Sequence, residues 1–173
     1  MKNIFIAILI LMFLPSCKIS IGDKEVVSSP PVFKEKVIIS DYAETLFGLH
    51  ESKDQKILTD ILGVNPVLTE WCAAFVNAIL RDQGIPGSES VSETPLLARS
   101  FLDWGEKVEE PKRGDLVIFE RGTEGWQGHV GFFINKTERH GKTYYLVLGG
   151  NQGNEVSIDL YSTEKLLGIR RYN

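Results

Sequence analysis

Trp71-Cys72-Ala73-Ala74-Phe75-Val76-Asn77-Ala78-Ile79-Leu80 is the stretch that decides the fold. It is apolar almost without interruption and is closed by Gly84 and Pro86. Ten such residues exceed an ordinary strand, and a glycine stop is how helices end, so the run predicts a buried helix. Upstream, Leu46, Phe47, Leu49, Ile57, Leu58, Ile61 and Leu62 predict two short helices between Asp41 and Leu62, separated by the polar run Glu51 to Lys56. Downstream, Thr94-Pro95 has the form of an N-cap followed by proline at the first helical position, which predicts a further helix through Trp104 to Gly105.

Past Pro111 the period changes from helical to alternating. Residues 116–120, 130–135, 143–148, 155–159 and 168–172 are short, β-branched or aromatic runs separated by Gly, Asn or charged turns. Helices first and strands second predict an α+β fold, with the helices packed on an antiparallel sheet of about five strands. Arg113-Gly114-Asp115 reads as the turn into the first strand rather than as an adhesion motif.

The 173-residue chain is bounded by composition. Hydrophobic residues at 43% and charged residues at 24% describe a globular chain with room for one domain. A net charge of −4 without a basic run excludes nucleic acid as the main partner. Two cysteines and three histidines leave little for a zinc site, and no acidic loop has calcium-ligand spacing. Neither a metal nor a cofactor is expected.

Residues 4–14, IFIAILILMFL, follow Lys2 as an apolar run of about 16 Å in helical form, half of what a membrane span requires. This is the pattern of a secretory signal. Leu14-Pro15-Ser16-Cys17 resembles a bacterial lipobox, although Pro15 departs from the usual small or β-branched residue. That resemblance implies cleavage after residue 16 and acylation of Cys17, with the membrane as partner through the lipid anchor. Residues 17–37, centred on Ser28-Ser29-Pro30-Pro31, lack any period and read as a tether, which leaves 38–173 as the domain.

If Cys17 carries lipid, Cys72 stands alone in an exported protein, where a lone thiol is a dimer bridge or a functional group. A place at a helix start, among unpaired N–H groups, favours its thiolate, with an inert buried structural cysteine the equal alternative on position alone. Of the three histidines, His50 and His140 fall in polar or turn sequence, whereas His129 begins a strand between Gly128 and Gly131. With a hairpin turn near His140, opposed residues sum to about 280, so His129 faces position 151, give or take two. That position is Asn151, which reads either as a turn residue or as the group that orients the imidazole. Trp71, Trp126 and Gln152 are candidates to line a substrate groove, each with an ordinary packing or solvent-facing alternative.

Taken in order, WCAAFV (71–76), ARSFLDWG (98–105), PKRGDLVIF (111–119), GHVGFFI (128–134), LGGNQ (148–152) and LLGIRR (166–171) resemble the CHAP-like branch of the NlpC-type, papain-fold cell-wall amidases and peptidases. The resemblance spans roughly residues 41–172. It implies a papain-like α+β core, with Cys72 as nucleophile, His129 as base and Asn151 as orienter of a thiolate mechanism. The implied substrate is the peptidoglycan peptide, cut at an amide bond by a monomeric, exported lipoprotein on the periplasmic side of the envelope if the cell is Gram-negative. The rival expectations are a non-catalytic envelope-binding lipoprotein on the same scaffold and a papain-like transferase.

Overall fold

A hairpin at the end of the chain sets the frame on which everything else is hung. In the computed structural model, which describes residues 39–173, His140 and Gly141 form a two-residue turn with φ of 51° and 74°. Positive φ at both central residues is the geometry that matches the twist of paired strands. The turn joins β3 (Gly128–Arg139) to β4 (Lys142–Gln152). Around them lie β1 (Glu106–Lys107), β2 (Leu116–Glu120), β5 (Glu155–Ser162) and β6 (Leu166–Arg171). The sheet is antiparallel throughout and ordered β1-β6-β2-β3-β4-β5. Six strands thus replace the five expected, the addition being the two-residue edge strand β1.

Side chains alternate across a strand, so the sheet has two unlike faces. On one, Leu116, Ile118, Val130, Phe132, Leu148 and Val156 pack beneath α3 (Cys72–Asp82), whose residues 72–80 are all buried. Ala73, Ala74 and Ala78 let that helix lie close to the strands. The helices α1 (Ile39–Glu44) and α2 (Gln55–Leu62) add Ala43, Leu58 and Leu62 to the same core. The other face carries Val117, Phe119, Phe133, Tyr145, Val147 and Ile169, with Tyr161 packed alongside. The fold is α+β.

One expected helix is not made as predicted. Thr94-Pro95 does not start an α-helix; the segment turns at Thr94 and continues as a 3-10 helix over Ala98–Asp103. The reason lies in Asn77, a polar residue on the buried helix. Its side-chain amide donates to the Pro95 carbonyl at 2.9 Å and its oxygen accepts from Ser88 N–H at 2.9 Å. A buried amide takes whatever partners satisfy it, and here it holds the Pro95 carbonyl out of helical register. Arg113-Gly114-Asp115 is a structural turn: Gly114 has φ 90°, and buried Asp115 accepts from Arg171 at 2.6 and 2.9 Å. Residues 1–38, with the apolar run, Cys17 and the tether, lie outside the described residues. No helix of the described residues is long and apolar enough to cross a membrane.

Candidate active site

Near the turn, β3 and β4 run in register from Arg139↔Lys142 to Phe132↔Leu148, with one shift between Phe133 and Asn135. Below that point β4 departs from β3. Its ladder with β5 pairs Gly149 with Ser157 and Gln152 with Glu155, which leaves two residues on β4 opposite one on β5. This is a β-bulge, and the second of the two residues, Asn151, is held at φ 58°. Asparagine tolerates the left-handed region better than most residues. Since one extra residue reverses which face the following side chain takes, Gln152 and not Asn151 shares the face of Gly149 and His129.

The contacts correct the expected triad accordingly. His129 Nε2 lies 2.9 Å from Gln152 Oε1, while the side chain of Asn151 donates to Glu70 Oε2 at 2.7 Å. Gln152, and not Asn151, is therefore the side chain bonded to the imidazole. It is buried behind the imidazole, which removes it from the groove-lining role expected of it. Its amide group is fixed by partners that can only accept: the Val147 carbonyl at 3.2 Å and the Ser157 carbonyl at 2.7 Å take the NH₂. Oε1 must then face the ring, so Nε2 of His129 carries the proton and Nδ1 is the free lone pair. The ring plane is fixed as well, stacked on Tyr161 at 4.8 Å between centroids with 4° between planes.

Gly149 and Gly150 make the arrangement sterically possible. A Cβ on Gly149 would stand 3.1 Å from His129 Nε2 and 3.0 Å from Gln152 Oε1. On Gly150 it would strike the Trp71 ring at 2.4 Å and Phe75 Cβ at 2.7 Å. The start of α3 thus rests on one side of a strand stripped of side chains, and the imidazole rests on the other. Trp71 is fully buried in that contact, its indole N–H donating to Glu51 at 3.2 Å, so it belongs to the core and not to a substrate groove.

Cys72 is free, buried and the first residue of α3. The backbone at Val130, the residue after His129, and at Ala73 favours the charged form of its sulfur. Burial pushes the thiol pKa up, partly offset by that backbone and by Arg121, while Glu70 adds to the rise. His129 is pushed down to about 4, by burial first and by the Arg121 cation second, against the Gln152 bond. Both shifts favour the neutral forms, a thiol at Cys72 and an imidazole at His129, against the thiolate that the helix position alone would favour. Of the ring nitrogens, Nε2 is held by Gln152 at 2.9 Å, whereas Nδ1 has only a long contact of 3.5 Å from Arg121 Nη1.

Cys72 opens onto a cleft of about 280 Å³ whose walls include Glu70, Leu96, Arg121, Trp126 and Gln127. Trp126 is 59% exposed on its rim, where sequence analysis placed a groove residue. A polar hollow of about 250 Å³, lined by Glu51, Thr69, Glu70, Asn151 and Asn154, adjoins it through Glu70. His50 and His140 take no part: His50 bridges to Glu155 and bonds its own loop, and His140 is exposed in the hairpin turn. Arg121 and Tyr161 carried no motif. Their only signal was position, one just beyond the strand that pairs Phe119 with His129 and the other on the strand beside Gln152. Among the described residues no group of three His, Cys, Asp or Glu side chains is placed to hold a metal ion. Set against known proteins, the chain matches no family model, no curated protein and no solved structure.

Proposed function

We propose that residues 38–173 form a papain-like cysteine amidohydrolase or peptidase that cuts an amide bond of the peptidoglycan peptide. The observation that carries this reading is the fixed tautomer of His129. Gln152 holds Nε2–H, and the remaining lone pair on Nδ1 is the base that a nucleophilic thiol requires. The ordered motifs from WCAAFV to LLGIRR supply the substrate class. The lipobox-like Leu14-Pro15-Ser16-Cys17 supplies the address, an envelope lipoprotein anchored through Cys17.

The chemistry then runs from a neutral pair. The Cys72 sulfur attacks the carbonyl carbon as its proton passes to His129 Nδ1, forming a C–S bond and a tetrahedral oxyanion. N–H groups at the start of α3, which no side chain caps, are the donors available to that oxyanion. Collapse breaks the C–N bond, and Nδ1 returns the proton to the departing amine. Water next attacks the thioester, giving one proton to Nδ1; the C–S bond breaks, the acid leaves and the thiol recovers that proton. Proton transfer accompanies attack, because neither partner is ionised beforehand.

Digestion of purified peptidoglycan by the full chain, with fragments identified by mass, tests the reading. Wild type is expected to release peptide fragments, and Cys72→Ala to lose activity by about 10⁴-fold or more. Wall binding by both proteins with product from neither would remove the enzyme assignment and leave the binding lipoprotein. Labelling with an alkyne fatty acid checks the anchor, and no label on Cys17 would remove it.

A further inference from the structure

Among the described residues only Arg113 and Arg171 pair with carboxylates, and of the other arginines Arg121 is the one that lines the cleft with Cys72. Arg171 pairs with Asp115, and Arg113 with Glu44 and Asp41. Arg121 instead makes two long contacts to neutral acceptors, 3.3 Å to the Asn151 carbonyl and 3.5 Å to His129 Nδ1, and it faces the cleft beside Cys72. A guanidinium is built to take a carboxylate in two parallel bonds, and the described residues offer it none.

Its mounting is firm. The loop after β2 is knitted by Gln127, whose Oε1 accepts from the N–H groups of Thr123 at 2.8 Å and Glu124 at 3.0 Å. The Gln127 carbonyl in turn accepts from Arg99 at 2.7 Å. Arg121 therefore enters the cleft from a braced loop, on the side of the base.

Which half of the substrate meets this cation follows from the direction of proton delivery, and here the inference rests on the hydrolase reading above. Nδ1 hands its proton to the leaving nitrogen. A carboxylate on the carbon that bears that nitrogen has its oxygens roughly 3 Å away, within reach of a guanidinium that already touches Nδ1. We propose that Arg121 is a specificity-determining residue that binds a free carboxylate on the leaving half of the substrate, carried by the same carbon as the departing amine. The preferred substrates are amides whose leaving group is an amino acid with its α-carboxylate unblocked. Occupancy by that carboxylate also neutralises the cation that disfavours protonation of His129, so the base gains proton affinity when the right substrate is bound.

Two measurements on the full chain test this, one of them independent of turnover. In the first, iodoacetamide labelling of Cys72 is followed by peptide-resolved mass spectrometry in the presence of alanine or alaninamide at matched ionic strength. The acid is expected to slow labelling and the amide to do so on the order of tenfold less effectively, with the difference lost in Arg121→Gln and partly kept in Arg121→Lys. Circular dichroism confirms that the exposed substitution leaves the fold intact. In the second, wall-peptide substrates matched except for a free or amidated carboxylate on the leaving residue are compared. The free acid is expected to be cut on the order of tenfold to a hundredfold faster by wild type and at equal rate by Arg121→Gln. Equal protection by acid and amide, or discrimination that survives Arg121→Gln, overturns the proposal. Cleavage without discrimination sinks this inference and leaves the hydrolase standing; Arg121-dependent protection without any cleavage sinks the hydrolase and, with it, the leaving-half assignment, and leaves only a carboxylate-binding Arg121.

Discussion

The two ends of the β3–β4 hairpin obey different rules. At the tip, His140 and Gly141 close a two-residue turn, the ladder pairs Arg139 with Lys142, and a Cβ added to Gly141 would meet nothing within 4 Å. At the base, the ladder stops at Phe132↔Leu148, a bulge inserts Asn151, and a Cβ added to Gly150 would collide with Trp71 while one on Gly149 would sit tight against Gln152 and His129. The tip is set by local backbone preference alone. The base is set by what must fit on both sides of one strand: the Trp71 and Phe75 side chains on one, and the His129–Gln152 pair on the other. The candidate chemistry lies entirely at the crowded end.

The largest effect expected of this contrast is on pH. His129, buried at the base, has a folded pKa of about 4 against an ordinary 6.5. A depressed histidine takes up protons more readily unfolded, so stability is full above about pH 6.5 and falls as pH drops toward 4. The loss is roughly 3 kcal/mol over that window. Denaturant unfolding at a series of pH values is the check, with His129→Gln expected to flatten the curve between pH 6.5 and 4; an unchanged curve in that variant would place the titration elsewhere.

A second expectation, close behind, separates the two adjacent amides of the bulge. Gln152→Ala is expected to lower turnover on the order of a hundredfold, since the imidazole loses the partner that sets its tautomer. Asn151→Gly keeps the left-handed backbone and is expected to stay within about threefold of wild type. The reverse ranking, measured on peptidoglycan fragments, would restore Asn151 as the orienting residue.

The smallest expected effects compare glycines at the two ends. Gly150→Ala forces a methyl into the Trp71 ring and is expected to cost about 1–3 kcal/mol. Gly141→Ala meets open space and is expected to cost about 1 kcal/mol or less, from its positive φ alone. Thermal unfolding of both variants measures the difference, and equal costs would mean that the base of the hairpin relaxes as readily as the tip.

Much of this architecture was legible in the sequence because it depends on short-range rules. Continuous apolar character marked residues 72–80 as buried helix, and alternation marked the main strands. A strand start between two glycines singled out His129, and a turn near His140 brought position 151 within two residues of the true partner. The one-residue error at Asn151 came from treating β4 as regular, although Gly149-Gly150 is itself a sign of a bulge. The α-helix expected after Thr94 was lost to Asn77, 18 residues away in sequence. Local propensity cannot weigh a buried amide that demands a distant carbonyl.

By itself, then, the sequence determined the α+β class, the helix that carries Cys72 and the strand that carries His129, since periodicity and turn chemistry act within a few residues. Only the tertiary structure decided which side chains surround those two. Burial disfavours charge on both, Arg121 adds to that at the imidazole and opposes it at the thiol, and the bulge gives the imidazole to Gln152 and Asn151 to Glu70. Ionisation and orientation depend on solvent exclusion and on contacts between segments up to 81 residues apart, and both quantities exist only after the chain has folded.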